Sequence, residues 1–115
     1  MVDKIALLEA GLKAASLKQS VIANNIANAD TPGFRRSDVR FQNLLAKALE
    51  QGRASQDQIK PEVYQPLKTQ VDDHGNDTNI DLEVGELIKN SSQYKVNMRL
   101  MNKLYKQLEQ AIGSV

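Results

Sequence analysis

The chain has 115 residues, a net charge of +1 from 15 basic and 14 acidic side chains, and no cysteine. That charge balance excludes a general nucleic-acid or anionic-membrane binder, which needs a basic excess. The missing thiols exclude disulfides, thiolate metal sites and a cysteine nucleophile. Aromatic residues make up only 4% with no Trp, which disfavours a compact enzyme pocket.

The longest uninterrupted apolar run is Ile5-Ala6-Leu7-Leu8, too short to span a membrane or to act as a secretory core. If the protein leaves the cytoplasm, the expectation is a route that leaves its N-terminus intact.

Residues 1–30 predict an N-terminal core helix. Ile5, Leu8, Leu12, Ala15, Ile22, Ile26 and Ala29 recur at a 3,4 spacing, with Gln19 in the gap, which is the seam of a coiled-coil helix. Pro32 biases Thr31 away from helix and Gly33 permits a turn, so the helix stops there. A second row, Leu7, Ala10, Ala14, Leu17 and Val21, lies on roughly the opposite face. Either Ala serves here as a helix former with a few Leu exposed, or other subunits or a third element cover this face. On the second reading Leu7, Ala14, Leu17 and Val21 are candidates for contact between subunits.

Residues 31–79 predict a connecting arm with a short helix over about 38–51. Phe41, Leu44, Leu45, Ala48 and Leu49 form its apolar face, Ser37 or Asp38 can cap it, and Gly52 can end it. That helix can cover part of the second row. Beyond it the periodicity is lost, and Pro61 to Val71 can hold a short strand. The run Asp72 to Glu83 superficially resembles a calcium loop. It fails because His74 takes a ligand position and Asp77 stands where the turn needs Gly, so a solvated turn is expected. Arg35, Arg36 and Arg40 read as a solvated loop or as a subunit-contact patch.

Residues 80–115 predict the C-terminal core helix. Its seam reads Ile80, Val84, Leu87, Ser91, Tyr94, Met98, Met101, Tyr105, Leu108 and Ile112. Acids come first and bases follow, which complements the helix dipole. The fold class expected is therefore mainly α. Long N- and C-terminal helices pair as an antiparallel coiled coil, joined by a short helix and an extended irregular arm. Ile5, Leu8, Leu12, Ile22 and Ile26 are expected to meet Leu87, Tyr94, Met98, Met101, Tyr105 and Leu108 within the subunit. So few aromatics make a poor core, so stabilisation by assembly is expected.

The stretch ANNIANADTPGFRRSDVRF, residues 23–41, resembles the N-terminal signature of bacterial flagellar rod and hook proteins. RRSDVRFQNLLAKAL and GNDTNIDLEVGELIKNSSQYKVNMRLMNKLYKQLEQAI resemble the proximal rod members of that axial family, whereas residues 53–74 match nothing in it. The motif residues are Asn24, Asn25, Ile26, Asn28, Thr31, Pro32, Gly33 and Phe34, expected to shape the junction between helix and arm. The resemblance implies a structural subunit of the proximal rod that polymerises into the torque-bearing shaft around the export channel. It implies type III export without a cleaved signal and assembly in the periplasm. The partners implied are other copies, FlgC-like rod proteins, a FliE-like adaptor, the export gate and the membrane ring. No cofactor, small-molecule substrate, nucleic acid or catalysis is implied. The rival reading is a soluble coiled-coil adaptor or secretion chaperone, which would be a stable small oligomer.

Overall fold

The computed structural model describes residues 4–50 and 60–113. Helix α1 runs Lys4–Ala27, strand β1 Asp38–Arg40, helix α2 Gln42–Glu50, strand β2 Glu62–Tyr64 and helix α3 Ile80–Gly113. At 1.5 Å per residue α1 is about 36 Å long and α3 about 51 Å. The protein is mainly α, with the two long helices packed side by side. Lys18 meets Glu86, Asn90 meets Ala15, and Asn25 meets Glu83. Residue numbers rise on one helix as they fall on the other, so the pair is antiparallel.

Helix ends follow their local chemistry. The Asn79 side chain accepts from the N–H groups of Asp81 at 3.0 Å and Leu82 at 3.3 Å. It satisfies donors that the first turn of α3 would otherwise leave free. At the end of α1 the Asn28 N–H is shared between the carbonyls of Asn24 and Asn25, at 3.1 and 3.2 Å.

The expected helix over 38–51 begins later, at Gln42, because residues 38–40 are claimed by a strand. Asp38, Val39 and Arg40 pair antiparallel with Tyr64, Val63 and Glu62. The Arg40 guanidinium sits 4.3 Å from the centre of the Tyr64 ring. The Asp38 carboxylate accepts from its neighbour Val39 N–H at 2.7 Å instead of capping a helix. No local signal could place this strand, since its partner lies more than twenty residues downstream. The expected apolar side chains at 48 and 49 and the Gly52 stop lie outside the described residues.

The apolar core is small. Ala10, Ala14 and Phe41 are buried together, with Leu7 and Leu45 packed against them. Leu7 and Ala14, candidates for contact between subunits, therefore pack inside the chain, because Phe41 and α2 fold back over their face of α1. Leu17 and Val21 of the same row are half-buried.

The expected seam also shifts. Ile22 and Met101 are buried, and Ile5, Leu8, Leu12, Ile26 and Leu87 are half-buried. Tyr94, Met98, Tyr105 and Leu108 are exposed, as are Ile80, Val84 and Ile112. The reason is a rotation of α3 about its axis. Glu83 and Asn90 are turned to α1 because they find hydrogen-bond partners there, and most of the apolar row, Met101 and Leu87 apart, is carried outward.

The molecule is accordingly thin, with extents of 66 × 28 × 15 Å and a radius of gyration of 17.6 Å. A compact domain of this length would have a radius near ~13 Å. Its accessible surface of 8124 Å² exceeds the ~6,300 Å² expected of a globular monomer of this mass.

Phe41 is the one large side chain among the buried apolar residues of this cluster. Phe41→Ala should lower unfolding stability by about 3 kcal/mol. Val63→Ala, on the half-exposed face of β2, should stay within about 0.5 kcal/mol. Urea melts followed by circular dichroism compare the two.

Candidate functional site

A chain of buried polar groups ties the end of α1 to the arm and to the start of α3. It begins at Asn25, which is 0% exposed. Three residues of the motif are Asn, a mediocre helix former. Asn25 and Asn28 each use both donor and acceptor, and Asn24 accepts from Asn28 through its side-chain oxygen at 3.2 Å. The Asn25 amide donates to the Ser37 carbonyl at 2.8 Å and accepts from the Ser37 N–H at 3.0 Å. This two-point contact pins the arm beside α1 just after it turns back. The same amide nitrogen donates to Glu83 Oε2 at 3.2 Å.

Glu83 is 2% exposed and its other oxygen accepts from Arg36 Nε at 2.6 Å. Burial works against the Arg36 charge, but the hydrogen bond and charge of Glu83 outweigh it and hold the guanidinium pKa above its ordinary value. Asp77 completes the set. Its oxygens accept from the Arg36 N–H at 2.6 Å and from Arg35 Nε at 3.2 Å, while Arg35 Nη2 donates to the Leu67 carbonyl at 3.0 Å. Arg35 and Arg36 are thus internal ion-pair partners, neither a solvated loop nor a free contact patch. Isolated buried charges of this kind would be unaffordable, and mutual pairing is the condition for their presence.

A second strand of bonds joins the turn after α1 to the loop before α3. Asn76 donates to the carbonyls of Asn28 and Thr31, each at 2.8 Å. Gly33 N–H donates to the His74 carbonyl at 2.8 Å, and its φ of 74° lies where a side chain is strained. Asn28 Nδ2 donates to the Asn24 carbonyl at 2.9 Å, and Thr31 Oγ1 to Asn28 Oδ1 at 3.2 Å. Pro32 is exposed, while Ile26 and Phe34 are half-buried.

The 72–77 loop is therefore only partly the solvated turn expected. Asp72, Asp73 and His74 are exposed, but Asn76 and Asp77 are buried. Asp72 accepts from the N–H groups of Asn76 at 3.0 Å and His74 at 2.8 Å. Those two backbone bonds, that of Asn76 foremost, hold its carboxyl below the usual Asp range. Among the described residues, no three His, Asp or Glu side chains converge to hold a metal ion. The carboxylates of Asp77 and Glu83 are instead engaged by arginines.

Asn24, Asn25, Asn28, Thr31 and Gly33 are brought together in this clasp. Sequence reasoning missed Arg35, Arg36, Ser37, Asn76, Asp77 and Glu83 as their partners. The signal available was a pair of arginines directly after the turn, with acids and amides at the start of the last helix. What surrounds the clasp is a second feature, the exposed apolar row on α3.

Glu83→Ala leaves Arg36 without its buried counterion and should cost about 3 kcal/mol. Arg40→Ala removes a 3.7 Å pair with Glu62 that is half-exposed and should cost under about 1 kcal/mol. Denaturant melts separate them. Acid should act through Asp72. Its folded-state pKa is lowered, so its contribution is complete above about pH 4 and is lost as pH falls through the lower folded value. Thermal melts between pH 5 and 3 should show a flatter decline for Asp72→Asn than for the unaltered chain.

Comparison with known proteins places the clasp in a family. A family model described as flagella basal body rod protein matches residues 7–35, the segment that holds α1 and its turn. The flagellar basal body rod protein FlgB of Bacillus subtilis (strain 168) is 32% identical over 112 residues, covering 89% of this chain and 87% of that protein. FlgB of Borrelia hermsii is 36% identical over 104 residues, covering 74% and 77%. The likeness extends to the flagellar basal-body rod protein FlgG of Buchnera aphidicola subsp. Baizongia pistaciae (strain Bp), 34% identical over 67 residues, 56% of this chain and 26% of that one. With identity of this order running through both long helices and the arm between them, the chain belongs to the FlgB family of flagellar basal body rod proteins.

Proposed function

We propose that the protein is a structural subunit of the proximal rod of the bacterial flagellar basal body, where copies polymerise into the shaft that transmits torque and surrounds the export channel. The observation that carries this reading is the exposed apolar row of α3, from Ile80 through Val84, Met98 and Tyr105 to Ile112, on a chain of the FlgB family. A patch of that extent is a contact surface, and among the described residues it lies exposed along a thin molecule. Leu17 and Val21 on α1 are further candidates for contact with a neighbouring subunit. The division proposed is a core made of the two terminal helices, residues 1–30 and 80–115, with residues 31–79 as the connecting arm.

In this reading the chain is exported through the flagellar type III apparatus without a cleaved signal and assembles in the periplasm. Its partners are further copies, FlgC-like rod proteins, a FliE-like adaptor, the export gate and the membrane ring. Its role is mechanical, with no chemical step. Family membership leaves the rival reading, a soluble adaptor or secretion chaperone, unfavoured.

The test is fractionation of cells carrying a tagged chain. It should co-purify with detergent-extracted basal bodies, and cells lacking it should build no rod and lose motility. A chain found only in the cytoplasmic fraction, with rods intact in its absence, would favour the adaptor.

A further inference from the structure

Helix α3 carries two rows at heptad spacing, and they are used in an unexpected order. Most of the apolar row faces outward, although Met101 is buried and Leu87 half-buried. The inner row holds Glu83, Asn90 and Asn97, spaced by sevens, with Glu83 and Asn90 buried at 2% and 8% exposure. A helix guided by hydrophobicity alone would do the reverse.

The polar row makes specific bonds to α1. Asn90 Nδ2 donates to the Ala15 carbonyl at 2.7 Å and to Gln19 Oε1 at 3.3 Å. The first uses the second lone pair of a carbonyl in the middle of α1. Asn25 donates to Glu83 at 3.2 Å. Gly11 admits Asn97, for a Cβ there would stand 3.2 Å from Asn97 Nδ2. These contacts coincide in one register. Sliding α3 by one helical turn, about 5 Å along the axis, takes Asn90 from Ala15 and Glu83 from Asn25 together, whereas a slide of a whole heptad sets Asn97 against Ala15 and costs Glu83 its bonds to Asn25 and Arg36.

We infer that Asn90, together with the Asn25–Glu83 pair, is a specificity determinant that selects α1 as the partner of α3 in a single antiparallel register. It thereby keeps the outward part of that row, Ile80, Val84, Met98 and Tyr105, from closing onto α1 or onto an out-of-register copy. Apolar side chains attract without direction and tolerate slippage, whereas a buried amide is satisfied only opposite its acceptor. Asn90 is a positioning residue and gives up some packing energy for this choice. The inference concerns how the chain pairs with itself and holds whatever assembly it enters.

The chain lacks cysteine, so two introduced thiols report register cleanly. Lys18 Nζ meets Glu86 Oε2 at 3.1 Å across the helix pair, and Lys18→Cys with Glu86→Cys reads the native register. Lys18→Cys with Leu82→Cys reads a slip of one turn, in which Glu86, an acceptor only, replaces Asn90 opposite the Ala15 carbonyl. Both pairs are made in the full-length chain with Asn90 retained, with Asn90→Leu and with Asn90→Ala, and disulfide yield is measured at equilibrium in a redox buffer. With Asn90 retained, the native pair should dominate within monomers. Asn90→Leu should keep its helix content by circular dichroism, yet lose the preference for the native pair by about tenfold and form dimers by light scattering. Asn90→Ala should lose the same preference without dimerising. An unchanged disulfide ratio in both variants would overturn the inference. So would loss of helix in Asn90→Leu, which would make Asn90 a residue needed for stability instead of partner choice.

Discussion

Asn25 is the point on which the rest of the structure depends. One fully buried amide holds the returning arm at Ser37 and the last helix at Glu83. Glu83 then holds Arg36, which is bonded to Asp77 through its backbone N–H. A chain only two helices thick has too little apolar interior to fix the geometry of a turn by packing alone. Directional bonds do that work, and removing any one leaves a buried donor or charge unmet. The asparagine-rich helix end is thus a connector and not a frayed terminus.

The clasp and the apolar cluster divide the labour. Phe41 with Ala10 and Ala14 anchors α2 against one face of α1, while polar bonds set α3 against another. Ala and Gly on α1 let these neighbours approach closely. Gly11 faces Asn97 at a distance that a Cβ would fill. The outcome is a molecule whose clasp is bonded internally and whose largest apolar row is mostly uncovered. That combination suits a subunit, which must keep its own fold distinct from its contacts with others.

Much of the architecture was legible in residue order. Two heptad-patterned helices and an arm carrying one short helix follow from periodicity, while the first helix ends at Ala27, a few residues before the stop that Pro32-Gly33 marks. The motif residues were legible as a junction. Their partners were not, because Arg36 lies 41 residues from Asp77 and 47 from Glu83 and each reads locally as a surface charge. β1 was hidden for the same reason, since Val39 pairs with Val63 and a three-residue strand has no periodicity of its own.

The clearest division concerns the faces of the helices. By itself the sequence determined that α1 and α3 each carry apolar rows at helical spacing, since side-chain period is a property of the covalent chain. Which row turns inward was decided only in three dimensions. Hydrophobic spacing favoured the row from Ile80 to Ile112, yet most of that row is exposed, Met101 and Leu87 apart, because Glu83 and Asn90 find partners on α1. On α1, Leu7 and Ala14 are covered from within because Phe41 folds back across them. A polar residue reads as outward-facing until its acceptor is known, and the acceptor is supplied by a segment that only the folded chain brings near.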